Sequence, residues 1–473
     1  GPPAPSSTPQ RVSSWPSSSG RISPNLTKWW TGFHDPVLDQ LIERTRDGNP
    51  EFWIAAQSIA ESRAQRGIAQ SQLFPAVTAQ GNRSRNRTSE NSFGTTPQNP
   101  SNLFSGGFDT GWEIDVFGGL RRNVEAAKAS IDASVENYRD LLVTLFAETA
   151  LTYVEYRTIE ERIRVAEKNL AAQNESLRLA QSRLDNGLAP KIDVTQATTS
   201  LETTRSSIPQ LKGQLAQARN RLATLTGDYP ANLGKLLSHS RPIPELGKQF
   251  TVGLPADLIR ARPDVRRAER ELAAQTAFIG VAESALYPRF TLFGDFSLQS
   301  IRSSNFFDSD SLVYSFGPSF SWQIFSAGQI RNSIRVEEAR TEQLLAAYEL
   351  AVLRAVEEVE TSMAAIANER DTLASLRRAV EASRETVSLV KDNYKEGLAD
   401  FQRVIDAERS RLDAEDRAVV SKGQFARNHI TLYKALGGGS RVEVVPMIEF
   451  QKRGLWGRKN DQASSEGTAI APD

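Results

Sequence analysis

The chain has 473 residues, enough for two or three ordinary domains, and its 57 basic side chains balance 57 acidic ones. That balance excludes a strong electrostatic pull toward nucleic acid or acidic membranes. With no cysteine there are no disulfides, thiolate metal sites or cysteine nucleophile. The three histidines, His34, His239 and His429, share no ligand spacing and are expected to be exposed or capping residues. No G-x-S-x-G motif, P-loop or metal spacing is present, so neither enzyme chemistry nor a cofactor is expected. "FGGL" and "GGGS" are glycine-rich by composition only. No signal peptide stands at the start, which implies a cytosolic or already processed chain. No apolar run reaches the ~20 residues of a spanning helix, but a membrane β-barrel carries a much weaker signal.

In chain order, residues 1–34 form an extended head, low in complexity over "GPPAPSSTPQRVSSWPSSSG". A first unit, 35–227, opens with two helical segments divided near Asn49-Pro50. A strand over about 75–87 follows "LFP"; its polar end, "NRSRNR", suits a barrel rim. A polar loop leads to a second strand over about 104–117. From Leu120, apolar or small residues recur in steps of three and four through Val124, Ile131, Tyr138, Leu145, Tyr153, Ile163, Leu170 and Leu184. Without an interrupting proline, this predicts one helix over about 119–186, roughly 100 Å long at 1.5 Å per residue. "GLAP" breaks it, with Gly187 at the position after the helix end that favours positive φ, and a return helix runs over about 190–226.

After a Pro/Gly-rich linker, 228–254, the same order is expected in 255–437. Helices divide at Arg262-Pro263, and a hairpin covers about 288–325. A long helix follows over about 328–396, then Gly397 and a return helix over about 400–436. A tail, 438–473, ends the chain. The halves align in sequence: "GIAQSQLFP" with "GVAESALYP", "RLDNGLAPKIDVTQA" with "NYKEGLADFQRVIDA". The offset is nearly constant, as 397 − 187 = 210 for the glycines and 348 − 138 = 210 for Tyr138 and Tyr348. Such a constant offset reads as one structural unit written twice.

The strands alternate sharply. In "LVYSFGPSFSWQIF" (312–325), Tyr314, Phe316, Pro318, Phe320, Trp322 and Ile324 point one way; Ser315, Gly317, Ser319, Ser321 and Gln323 point the other. The strand at 104–117 sets Phe104, Phe108, Trp112, Ile114 and Val116 against Ser105, Asp109, Glu113 and Asp115. A soluble sheet would carry long charged side chains on its polar face, yet lysine is absent from these segments. The pattern fits strands with lipid outside and a watery lumen inside. Trp112, Tyr314, Phe316, Phe320 and Trp322 are then lipid-facing or girdle residues; Asp109, Glu113, Asp115 and Asp295 face the lumen. Four strands cannot close, and an open edge in lipid leaves unsatisfied backbone groups. Three copies give twelve strands and place the long helices together as a tube.

The sequence resembles the TolC-like outer-membrane efflux channels, in particular the OprM/NodT-type lipoprotein branch that serves resistance-nodulation-division pumps. The resemblance is carried by "WWTGFHDPVLDQLI", "WEIDVFGGLRR", "GLPADLIRARPDVRRAERELAAQTAFIGVAESALYPRFTL" and "YKEGLADFQRVIDAER". It implies a mixed α and β membrane protein: a homotrimer with a 12-stranded transmembrane β-barrel, continued by a 12-helix periplasmic α-barrel. An equatorial α/β belt would include the head, linker and tail. The implied function is that of the outer-membrane exit duct of a tripartite efflux pump, passively conducting drugs or other toxic compounds. Its partners would be a periplasmic adaptor and an inner-membrane resistance-nodulation-division transporter. Members of this branch begin with a lipidated cysteine, whereas this chain starts at Gly1, so a lipid anchor on the natural protein is an inference from resemblance alone.

By the same resemblance, the two helical turns form the periplasmic mouth. Gly187, Leu188, Gly397 and Leu398 are assigned to adaptor contact, and Asp400, Arg403, Asp406 and Asp193 to the gate. A three-fold ring of carboxylates attracts cations and can be held shut by ion pairs. The plainer alternative is that Asp400 serves its helix dipole while Arg403 and Asp406 belong to a solvated face. A periplasmic coiled-coil adaptor or scaffold without a pore is the competing function; it accounts for the helices but not for the strands.

Overall fold

The computed structural model describes residues 26–87, 89, 91, 100–246 and 259–441. Residues 1–25 of the expected extended head 1–34, the end of the linker, the start of the "GLPADLIRARPDV" motif and the tail from 442 lie outside the described residues; the described end of the head is helical instead of extended. A 3-10 helix, Leu26–Phe33, precedes α1, Pro36–Gly48, whose first turn is closed by Asp35 accepting from the Val37 and Leu38 amides at 2.8 and 3.4 Å. Then come α2 (Pro50–Ser71), β1 (Ala76–Asn86), β2 (Ser101–Ile114), α3 (Gly119–Asp185), α4 (Lys191–Thr226) and the short α5 (Gly234–Leu237). The second half runs α6 (Pro263–Ser284), β3 (Arg289–Ser300), β4 (Leu312–Ser321), α7 (Gln329–Lys395) and α8 (Phe401–Ala435). Three pairs of helices match in length between the halves: 22 residues in α2 and α6, 67 in α3 and α7, 36 and 35 in α4 and α8.

The chain divides into two units. One comprises Gln57–Val135 and Arg266–Leu350, and so holds the sheet and the adjoining ends of four helices. Its four strands run antiparallel in the order β1-β2-β3-β4. The register pairs Gly111 with Phe293, Asp109 with Asp295, and Phe296 with Tyr314, so that the alternation of each strand adds to the next. One face carries Val77, Phe104, Phe108, Trp112, Phe290, Leu292, Phe296, Leu298, Tyr314, Phe316 and Phe320. The other carries Thr78, Gln80, Ser105, Asp109, Glu113, Thr291, Asp295, Ser297, Ser315 and Ser319. Phe293 is an aromatic exception on the polar face, its ring lying over Gly317, where an added Cβ would meet it at 3.9 Å.

Two expectations are corrected here. Strand β2 stops at Ile114, so Asp115 is not a strand residue: its carboxylate caps α3, accepting from the amides of Leu120 (3.2 Å) and Arg121 (2.9 Å). Strand β4 stops at Ser321, so Trp322 and Ile324 lie beyond the ladder. Each connection to the following helix holds a glycine at positive φ, Gly118 at 82° and Gly328 at 87°. The two tryptophans are held alike. Trp112 Nε1 donates to the Leu73 carbonyl at 2.9 Å and Trp322 Nε1 to the Leu286 carbonyl at 3.0 Å, each acceptor two residues before the proline that opens a strand.

The other unit is helical, and its core is built on α1, α3, α4 and α8. On α3, Tyr138, Leu142, Leu145, Phe146, Tyr153, Val154 and Ile159 are buried, as the three-four spacing requires. Helix α7 buries a narrower stripe, Leu373, Val380, Val387 and Tyr394, in seven-residue steps. The helix ends are closed by side chains from the chain breaks before the following helices. Asn49 Nδ2 donates to the Leu225 carbonyl at 2.9 Å, and Arg262 Nη1 to the Ala435 carbonyl at 2.6 Å. His429 departs from the expectation of an exposed or capping residue. It is buried, 2.8 Å from the Phe425 carbonyl, and burial pushes its pKa down from the usual imidazole value.

Candidate conduit surfaces and helical tip

The end of the helical unit is made by two turns of one design. Gly187 and Gly397 stand at φ 72° and 75°. In each, the glycine amide bonds three residues back, to Leu184 (2.9 Å) and Tyr394 (3.1 Å). The following leucine amide bonds five back, to Arg183 and Asn393, both at 2.8 Å. This satisfies the last carbonyls of α3 and α7, and its positive φ favours glycine at the turn. Leu188 and Leu398, just beyond, remain 67 % and 78 % exposed. Asp400 caps α8, accepting from the Arg403 amide at 3.1 Å. Pro190 stands at the corresponding cap of α4 without a side-chain hydrogen bond; it precedes the first helical turn instead of lying in it.

The four expected gate residues separate into two groups. Asp400, Arg403 and Asp406 are exposed, and Asp406 accepts from Gln402 Nε2 at 2.9 Å. Asp193 is buried and accepts from the Tyr394 hydroxyl at 3.1 Å. Around this bond the two turns are tied together. Arg183 donates to the Lys395 carbonyl at 2.9 Å and lies over the Tyr394 ring, 4.9 Å from its centroid; Ala180, Ala197, Phe401, Val404 and Ile405 pack beneath. Burial, and then the hydrogen bond to the Asp193 carboxylate, push the Tyr394 hydroxyl up to about 12. Sequence reading missed Arg183 and Tyr394, because nothing in their spacing distinguishes them from surface arginine and core tyrosine.

Two further polar layers lie behind the tip, one heptad apart. Glu408 on α8 is buried between Lys391 of α7, Nζ at 2.8 Å, and Ser176 of α3, whose hydroxyl donates at 2.6 Å. Glu415 accepts from Arg384 Nε of α7 and Asn169 Nδ2 of α3, each at 2.8 Å, while Arg411 Nη2 donates to Asn169 Oδ1 at 2.7 Å. Burial raises the Glu415 pKa, but the Asn169 and Arg384 hydrogen bonds and the charges of Arg384 and Arg411 outweigh it and hold the carboxyl below its ordinary value. The residues at 169 and 176, 384 and 391, and 408 and 415 thus repeat a single arrangement at heptad spacing.

In the strand unit, the polar face brings Asp109 directly opposite Asp295, with Thr78 beside Asp109. Glu113 faces Arg289 at 3.6 Å. Asp115 stands apart at the α3 cap. Burial pushes its pKa up, but the hydrogen bonds from Arg121 and Leu120 more than offset this, leaving it lowered. On the opposite face Tyr314, Phe316 and Phe320 are exposed, Phe316 by 78 %, as are Val77, Phe108 and Phe296. A face this apolar has no counterpart on an ordinary soluble sheet. Among the described residues, both outer strands, β1 and β4, have a partner on one side only.

A single family model matches the chain twice, over residues 41–228 and 254–438, and its description is outer membrane efflux protein. The chain belongs to the outer membrane efflux protein family. Relatives agree over nearly the whole length. Nodulation protein T of Rhizobium leguminosarum bv. trifolii is 28% identical over 426 residues, covering 89% of this chain and 91% of that protein. The solvent efflux pump outer membrane protein SrpC of Pseudomonas putida is 30% identical over 422 residues, covering 89% of each. Among solved structures, the outer-membrane channel OprN is similar with a TM-score of 0.82 and 33% identity, over 91% of this chain and 99% of that one. This efflux protein therefore shares the channel fold, largely helical with four strands. Among its described residues, no group of three or more His, Asp or Glu is placed to hold a metal, and no helix is long and apolar enough to cross a membrane.

Proposed function

We propose that this efflux protein is the outer-membrane exit duct of a tripartite pump, conducting drugs or other toxic compounds passively from an inner-membrane transporter and a periplasmic adaptor to the outside. The observation that carries this reading is the exposed aromatic face of a four-stranded sheet whose two outer strands, among the described residues, are each paired along one edge only. In hydrocarbon, open strand edges cost several kcal/mol per unsatisfied group, so the sheet has to be completed by other copies. Three copies supply twelve strands, the outer ones pairing between chains around a common axis. Helix α7 supports this closure: Leu353 and Leu389 are exposed on it although it is an amphipathic rod of 67 residues. The twofold family match and the equal lengths of the two long helices support a duplicated unit, with halves at 35–227 and 255–437, a linker at 228–254 and flanking segments at 1–34 and 438–473. The coiled-coil scaffold reading leaves the aromatic face without a role.

In this duct Asp109, Glu113 and Asp295 line the lumen, and Tyr314, Phe316, Phe320, Trp112 and Trp322 meet lipid or its boundary. Gly187, Leu188, Gly397 and Leu398 present the turns to the adaptor; the exposed leucines support this role. Asp400, Arg403 and Asp406 form the constriction, while Asp193 acts through Tyr394 by holding one turn against the other. The test is electrical. Reconstituted in planar bilayers, the protein should conduct, and Asp400→Ala with Arg403→Ala should raise the single-channel conductance. Absence of any channel would remove the duct; unchanged conductance in the double variant would remove these two residues from the gate.

A further inference from the structure

The aromatic face of the sheet carries charge at one place only. Among its described residues on all four strands, the charged ones are Arg83 and Arg85 of β1, set in register opposite Phe104 and Asn102. Arg87 continues the alternation just past the strand, and all three are exposed. None forms an ion pair with a carboxylate among the described residues, including Asp308 and Asp310 of the β3–β4 connection. The Arg83 guanidinium lies 5.2 Å from the centroid of the Phe104 ring on the same face. These arginines stand at the loop end of the sheet, opposite the end where Trp112 and Trp322 bond to the chain entering β1 and β3. Six residues separate Val77 from Arg83, about 20 Å of strand at ~3.3 Å per residue.

We propose that Arg83, Arg85 and Arg87 form a ladder that binds the phosphate groups of an anionic glycolipid in the outer leaflet. The proposal rests on the duct reading, which turns this face toward lipid and its loop end outward. An arginine on the lipid side is strongly disfavoured at the bilayer centre and nearly neutral at the interface, which puts the ladder at headgroup depth. There, planar guanidinium groups are matched to phosphate oxygens, and alternate strand positions space them about 6.6 Å apart along the edge. The neighbouring surface suits acyl chains. Phe306 from the β3–β4 connection lies over Gly106, 3.3 Å from where a Cβ would stand, and Phe307, packed edge-on at 5.0 Å, is 85 % exposed. Charge above and aromatic surface below are what a phosphorylated glycolipid presents in reverse.

The test titrates the purified full chain in detergent with bis-phosphorylated lipid A, its dephosphorylated counterpart and inorganic phosphate, reading bound lipid by native mass spectrometry. The wild type should bind the phosphorylated lipid at least about tenfold more tightly than either control, and less tightly as salt rises. R83Q/R85Q/R87Q should lose about a hundredfold, at roughly fivefold per arginine, and R83K/R85K/R87K, which keep the charge without the planar fork, should recover part of the loss. Equal binding of the dephosphorylated lipid by the wild type, or unchanged binding by the glutamine variant, overturns the ladder. Inorganic phosphate bound as tightly as the lipid overturns it in favour of a free-anion site. Bilayer conductance of the same preparations separates the two levels: channels with no phosphate preference refute the ladder and leave the duct, whereas a wild type without channels refutes both. The comparison of lipids on the wild type alone decides the matter if the glutamine variant does not fold.

Discussion

Residues in the helical unit pair polar groups across helices as well as packing apolar faces. Glu408 shows the principle: a carboxylate taken out of water must be charge-paired and hydrogen-bonded, and Lys391 and Ser176 supply both. Removing one partner leaves a buried charge, which costs more than the pair contributes. Lys391→Met should therefore destabilise the protein by up to about 3 kcal/mol, and adding Glu408→Leu should restore most of it. Chemical denaturation of the single and double variants checks this; additive losses would mean the pair is not coupled. Glu415, held below its ordinary pKa, sets the acid limit of the neighbouring layer. Its contribution is complete above the unfolded carboxyl value of about 4.3 and fades as pH falls through the lower folded value. None of these partners was named from the sequence, since Glu408 and Glu415 lie among many acidic residues of a charged helix and only packing against α3 and α7 buries them.

At the scale of elements, the turns that end α3 and α7 decide where the rods stop. Both glycines take positive φ, and at Gly187 no atom lies within 4 Å of an added Cβ, so a substitution there tests backbone strain alone. Gly187→Ala should cost about 1 kcal/mol and Gly187→Asn less, because asparagine visits that conformation more readily. Thermal melts of the two variants give the comparison; equal stability of alanine and wild type would show the turn to be unstrained. These elements were legible because their signals are local and repeated: steps of three and four, a Gly-Leu-Ala break, alternation with period two. Where the reading overran, at Asp115 and Trp322, the alternation continued in sequence after the ladder had ended: Asp115 caps α3 and Trp322 bonds to the Leu286 carbonyl.

For the whole molecule, one physical demand dominates: an aromatic sheet face with open edges needs hydrocarbon outside and further strands beside it. A charge placed on that face should then be far more damaging than one placed on the other. Phe316→Arg should prevent stable insertion, at about 2–4 kcal/mol per chain near the bilayer midplane, whereas Ser315→Arg should be tolerated. Detergent-extracted protein run by size with each variant, together with its recovery in membranes, distinguishes them; equal recovery would place Phe316 away from lipid. The sequence by itself determined the repeated order of elements, the lengths of the rods, the two glycine turns and the two-sided strands, because each rests on periodicity or on a residue with special backbone freedom. Tertiary structure alone decided that Asp193 is buried under Tyr394 while Asp400 and Arg403 stay exposed, that His429 is interior, and that charges seven residues apart meet in layers. Those outcomes depend on which helices lie side by side across more than two hundred residues of chain, and no local pattern carries that information.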